Sequence, residues 1–208
     1  MKNLITILLL VLLPYTTFSQ ITPNMLTTQE EQSDYLYEII NDYRESKGLK
    51  RLILDTLAIN ACKHHSIYMS FYDVAGHFET KKDSSHLLPV INDPESRATN
   101  YGVVRGSLVG ENSLNLSDFI VETRGEKAKE FSTKWVESIE EGKLNYKHAA
   151  QFVLSMWIKS KCHNKLLLHN MSISGGVYMR VYENSKGDIR IAATYYVTDY
   201  YPGVAVNY

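Results

Sequence analysis

Cysteine is scarce in this chain, with only Cys62 and Cys162 present. No CxxC spacing exists, which removes a cysteine zinc site and a thioredoxin-like centre. Charge of one sign is lacking too: Lys+Arg number 22 and Asp+Glu 23. That balance excludes the basic stripe of a nucleic-acid binder. No HExxH, GxSxG or Gly-rich phosphate loop occurs, so the common enzyme signatures are missing. No run long enough to span a bilayer is present either. What the chain does have is tyrosine, 15 residues against 6 phenylalanines. Tyrosine suits surfaces and clefts that are half apolar and half wet. At 208 residues the chain supports one sizeable hydrophobic core.

The N-terminus reads separately. Lys2 precedes an apolar run from Leu4 to Leu13, Pro14 breaks it, and Thr17-Phe18-Ser19-Gln20 offers small residues for cleavage. This is the layout of a secretory signal peptide over residues 1–20. Residues 21–208 are then a single exported domain, periplasmic or extracellular, without a membrane span. Export permits a disulfide, and a Cys62–Cys162 bridge closing about a hundred residues would contribute roughly 4–5 kcal/mol. Two free thiols, with Cys62 on a core-facing helix side, are the alternative.

Leu36, Ile39, Ile40 and Tyr43 recur at helical spacing after two capping-box candidates, Thr27-x-x-Glu30 and Thr28-x-x-Glu31, and Gly48 is a natural stop. Asp55 can cap a second helix carrying Leu57, Ala58, Ala61, Cys62, His65 and Met69 on one face. On that helix His65 faces the core and His64 faces solvent. Residues 73–105 keep no period and read as a long loop. A strand-like stretch follows Gly110, a helix surrounds Trp135, and another runs from Ala149 to Ile158. Alternation around Asn184-Ser185-Lys186-Gly187-Asp188 predicts a terminal hairpin. Tyr195, Tyr196, Tyr200 and Tyr201 finish a sheet edge. Helices first and a hairpin last predict an α+β layered domain.

The order of short motifs carries more than any one of them. Asn41-Asp42-Tyr43-Arg44 precedes Ala61-Cys62-x-x-His65-Ser66, then Gly76-His77-Phe78, Arg97 ahead of Tyr101-Gly102, and Gly110-Glu111-Asn112. Trp157-x-x-Ser160-x-x-His163 and Gly175-Gly176-Val177 complete the series. The chain resembles the CAP superfamily (cysteine-rich secretory proteins, antigen five, pathogenesis-related one) in its bacterial secreted form, over about residues 33–198.

The resemblance implies a three-layer α-β-α sandwich with a small antiparallel sheet. It also implies a cleft built from His77, Glu111 and His163, supported by Asn112, Arg97 and Ser160. A fourth acidic member of the family pattern is replaced here by Ser160 or Ser138, with Glu137 one position off. The stretch 118–147 is longer than the bacterial pattern leaves and reads as a helical insertion. Two imidazoles and a carboxylate on one cleft would suit zinc with an open position. The same trio could hold a small apolar ligand (lipid or sterol) or a protein partner, the expected non-catalytic role. A metal-assisted hydrolase is the alternative, for which Ser160, one helical turn before His163, is the best nucleophile candidate. Residue by residue, Arg97 is expected to pin its loop, Glu111 to hold neighbouring backbone amides, and Asn112 to serve a turn.

Overall fold

The computed structural model describes residues 29–81, 89–117 and 146–203. The signal segment, the capping-box threonines, the helix around Trp135 and the candidates Ser138 and Glu137 lie outside the described residues. Of the stretch 118–147, expected to be a helical insertion, only Tyr146 and Lys147 are described, and they open a helix.

Helix α1 (Gln29–Ser46) begins with Glu30 and Glu31 in its first turn and ends with Arg44 in its last, which suits the helix dipole at both ends. Its buried stripe runs Leu36, Tyr37, Ile40 and then Arg44. The charged end of that stripe is accommodated because Arg44 Nη1 donates to the carbonyls of Leu167 (2.6 Å) and His169 (3.2 Å). A two-residue strand β1 (Ile53–Leu54) leads to Asp55, whose side chain accepts from Leu57 N at 2.9 Å and starts α2 (Thr56–Tyr72). The chain leaves α2 through Asp73 in the left-handed region.

Helix α3 (Pro94–Asn100) lies inside the segment expected to be loop. Seven residues are too few to reveal a period, but its Asp93 cap and Pro94 at the first helical position are ordinary start signals. Strand β2 (Leu108–Ser117) follows, then α4 (Tyr146–Lys159), α5 (Lys161–Leu167), β3 (Ser174–Glu183) and β4 (Ile189–Thr198).

The strands form one sheet in the order β1-β3-β4-β2, with β1 parallel to β3 and the other pairs antiparallel. The hairpin between β3 and β4 closes where predicted, Asn184 Oδ1 accepting from the amides of Lys186 and Asp188. Because β2 pairs with its far side, β4 is an interior strand. Tyr195 and Tyr196 are therefore fully buried instead of finishing an edge.

Helices cover both faces, as the three-layer expectation required. Val177, Met179, Tyr195 and Val197 face α1 and α4. Tyr178 and Tyr196 face α2 and α3, packing with Ala58, Ala61, Cys62 and Ala98. The two cysteines sit on opposite sides of this sheet and are free. Cys62 is buried with its Sγ 3.3 Å from Gly176 O, while Cys162 is exposed on α5, so the bridge weighed above does not form.

The start of α2 lies against β3 at Gly176. A Cβ added there would stand 2.5 Å from the Ile59 amide nitrogen, which is backbone and cannot swing aside. Gly176→Ala is expected to destabilise by about 3 kcal/mol, the upper end for overpacking. Urea unfolding would check it, and an unchanged midpoint would show that the helix shifts freely.

Candidate functional site

Five elements deliver charged or polar side chains to one end of the α2 face. Helix α2 supplies His64 and His65, the loop after it Gly76, His77 and Glu79, α3 Arg97, β2 Glu111 and Ser113, and β4 Tyr196. The buried stripe of α2 continues from Ala58 and Ala61 into the two histidines, so both point inward. His64, expected in solvent, is 1% exposed. It is satisfied by Tyr101 OH at 2.8 Å and Glu79 Oε2 at 3.2 Å, an edge-on aromatic contact with Tyr101 accompanying the first.

Arg97 is the hub. Fully buried, it donates from Nη2 to Glu111 Oε2 and to the His77 carbonyl, both at 2.7 Å. Nη1 donates to Ile91 O at 3.1 Å and lies 3.4 Å from Glu79 Oε1, and Nε donates to Tyr196 OH at 3.0 Å. The expected loop pin is thus also the counter-charge of two buried carboxylates. Glu111 holds no backbone amide as its main partner; its other oxygen accepts from His77 Nδ1 at 2.8 Å.

Burial alone would push the Glu111 carboxyl up, but the His77 hydrogen bond, with His65 and Arg97 nearby, outweighs it and holds it below the usual range. The same hydrogen bond raises the His77 imidazole above its ordinary value, against the opposing effect of partial burial. Glu79 was not singled out by its sequence. It is buried, a cost to its charge, yet hydrogen bonds from His64, His65 and the Ile91 amide, with Arg97 nearby, bring its carboxyl down to about 2. A histidine pair on one helix was the available clue, since two adjacent inward imidazoles need a polar partner above them.

The other candidates fall at the margin. Asn112 lies in strand β2 and not in a turn, and its Nδ2 donates to the His163 carbonyl at 3.1 Å. That bond ties the α5 backbone to the glutamate strand at Asn112, whose neighbour Tyr195 faces α1 and α4, the side of the sheet away from Glu111 and His77. Ser160 is the N-cap of α5, where the helix breaks from α4. Its carbonyl accepts from Asn164 N at 2.8 Å, so it opens the turn that carries His163, and its side chain makes no capping hydrogen bond.

These residues do not fit zinc. Both Glu111 oxygens are engaged, one by a guanidinium that already supplies the positive charge. Among the described residues no group of three His, Cys, Asp or Glu side chains is arranged to hold a metal ion. Nor is a catalytic triad built. Ser113 Oγ approaches His77 on Nδ1, at 3.3 Å, the same nitrogen that meets Glu111, and donates to Gly76 O at 3.0 Å. A nucleophile and its orienting carboxylate must use opposite ring nitrogens.

A four-stranded sheet between helical layers, with a loop and the glutamate strand locked by one buried ionic cluster, defines a CAP-type sandwich. The family model for the cysteine-rich secretory protein family, CAP, matches residues 37–200, and the chain belongs to that family. An outer surface protein from Borrelia burgdorferi is 15% identical with a TM-score of 0.51, the match covering 83% of this chain and 96% of that one. An extracellular protein containing an SCP domain, from Bacillus anthracis, is 15% identical at a TM-score of 0.49, covering 81% of this chain and 41% of that one. A cysteine-rich secretory protein from Staphylococcus aureus is 12% identical at 0.45, covering 83% and 40%. Such identities speak for the fold alone. No match is found among curated proteins. Among the described residues no helix is long and apolar enough to cross a membrane.

Proposed function

We propose that the chain is a non-catalytic CAP module, exported after cleavage near Gln20, that binds a small apolar ligand through an acceptor headgroup at His77. One observation carries this reading. Glu111 is spent on Arg97 and on His77 Nδ1, whereas His77 Nε2 has no partner among the described residues and its side chain is 42% exposed. A carboxylate behind the ring favours the protonated form, so Nε2–H is offered outward as a charge-assisted donor. Phe78, 60% exposed, supplies apolar surface next in sequence. Together they suit a fatty acid or a sterol-like molecule with one polar end. A protein partner presenting a carboxylate would use the same donor.

The test uses the exported protein and a dansylated fatty acid. Saturable binding is expected, and His77→Ala is expected to weaken it about tenfold, the worth of one hydrogen bond to a charged group. Equal affinity in the variant would remove His77 from the site. Turnover of nitrophenyl esters that is lost in His77→Ala would instead favour the hydrolase. Native mass spectrometry before and after denaturation would reveal any co-purified lipid directly.

A further inference from the structure

The two ring nitrogens of His65 face groups that only accept. Nε2 lies 2.8 Å from the Gly76 carbonyl oxygen, and Nδ1 lies 3.0 Å from Glu79 Oε1. A neutral imidazole has one N–H and one bare lone pair. Whichever nitrogen kept the proton, the other would set its lone pair against an oxygen. His65 is fully buried, so solvent cannot relieve that repulsion. We infer that His65 is a buried imidazolium, a fixed cation that positions the Gly76 carbonyl and thereby the His77 ring.

His64 makes the contrast. Its Nε2 donates to Glu79, but its Nδ1 meets the Tyr101 hydroxyl, which can donate to it. A neutral His64 therefore satisfies both contacts.

Moving the second proton onto Glu79 does not resolve the conflict at His65. Glu79 is approached by His64 Nε2, His65 Nδ1, the Ile91 amide at 2.9 Å and Arg97 Nη1, a donor set suited to a carboxylate. The depressed Glu79 carboxyl agrees with that assignment.

Charge then balances within the buried cluster: Glu79 and Glu111 are negative, Arg97 and His65 positive. The remaining neighbours of His65 are Glu111 Oε1, 3.9 Å from Nε2, and the Tyr68 ring stacked at 6.0 Å. Two buried cations thus hold two consecutive carbonyls, His65 on Gly76 and Arg97 on His77. With both peptides fixed, the His77 side chain has one direction in which to leave the backbone. His65 is in this sense a positioning residue for the ligand handle proposed above. The inference rests on that reading only for the purpose of the handle, since the charge state is measurable without any ligand.

The experiment is nitrogen-edited NMR of the histidine rings of the whole exported protein at pH 7.5. Both His65 nitrogens are expected to carry protons, with shifts of the imidazolium type. One unprotonated nitrogen at His65 overturns the assignment. A second readout follows the charge itself. His65→Gln removes a cation beside Glu111, leaving the cluster net negative, so the titration midpoint of His77 is expected to rise. An unchanged or lowered midpoint counts against a cationic His65. Should His65→Gln fail to fold, the wild-type spectra decide alone. Fatty-acid binding plays no part in either readout, so loss of the proposed function would leave this inference standing.

Discussion

Arg97→Met is expected to remove a large part of the stability of the domain, about 3–5 kcal/mol out of the 5–15 kcal/mol that domains possess. Methionine can fill the path of the arginine stem, so the loss is not mainly a cavity. What it leaves behind is Glu111 and Glu79 without their guanidinium, both almost fully buried. An uncompensated buried charge costs far more than the intact pair contributes. The carbonyls of Ile91 and His77 lose their donors at the same time. Arg97→Lys keeps the charge but not the fork, which here reaches five acceptors on three segments, and should fall between the two. Urea unfolding of the three proteins would check this order. A loss below about 1 kcal/mol in Arg97→Met would mean that the loop rearranges to pair its own carboxylates.

The centrality of Arg97 was partly legible in the sequence, since an arginine inside a long aperiodic segment is a natural pin. Elements with ten or more residues and a clear period, α1, α2, α4 and the β3–β4 hairpin, were legible for the same reason: each buries a repeating face. The strand order was not. β2 joins β4 across more than seventy residues, and nothing local in Tyr195-Tyr196 tells an interior strand from an edge. Glu79 stayed hidden because a carboxylate in a loop is ordinarily solvated, and burial of this one depends on donors from α2, α3 and the Ile91 amide at once. The motif order singled out Glu111 and His77, which the fold sets 2.8 Å apart, but the expected backbone-amide partners of the carboxylate are replaced by His77 and Arg97. A motif records which residues recur and not which of their atoms are already occupied.

Glu79 also makes the stability of the fold depend on acid in a way one substitution can isolate. Its carboxyl is held at about 2 in the fold, against 4.5 for an unperturbed glutamate. A group depressed by folding contributes stability that is present above its unfolded value and is lost as pH falls through its folded value. The window therefore runs from about pH 4.5 down to about pH 2, and at 1.36 kcal/mol per unit it is worth about 3 kcal/mol. Glu79→Gln keeps the shape but has no charge to lose. At pH 6 the variant should be less stable than wild type by about 3 kcal/mol, because an amide satisfies fewer of the donors that converge there. Towards pH 2 the two proteins should converge to within about 1 kcal/mol, since the wild-type residue has itself become neutral. Glu111 titrates in both proteins, so its contribution largely cancels in the difference. The quantity to measure is the gap in unfolding free energy at several pH values. A gap that stays constant from pH 6 to pH 2 would place the acid sensitivity in other carboxylates, whereas a closing gap identifies the Glu79 charge as what holds α2, α3 and the His77 loop together.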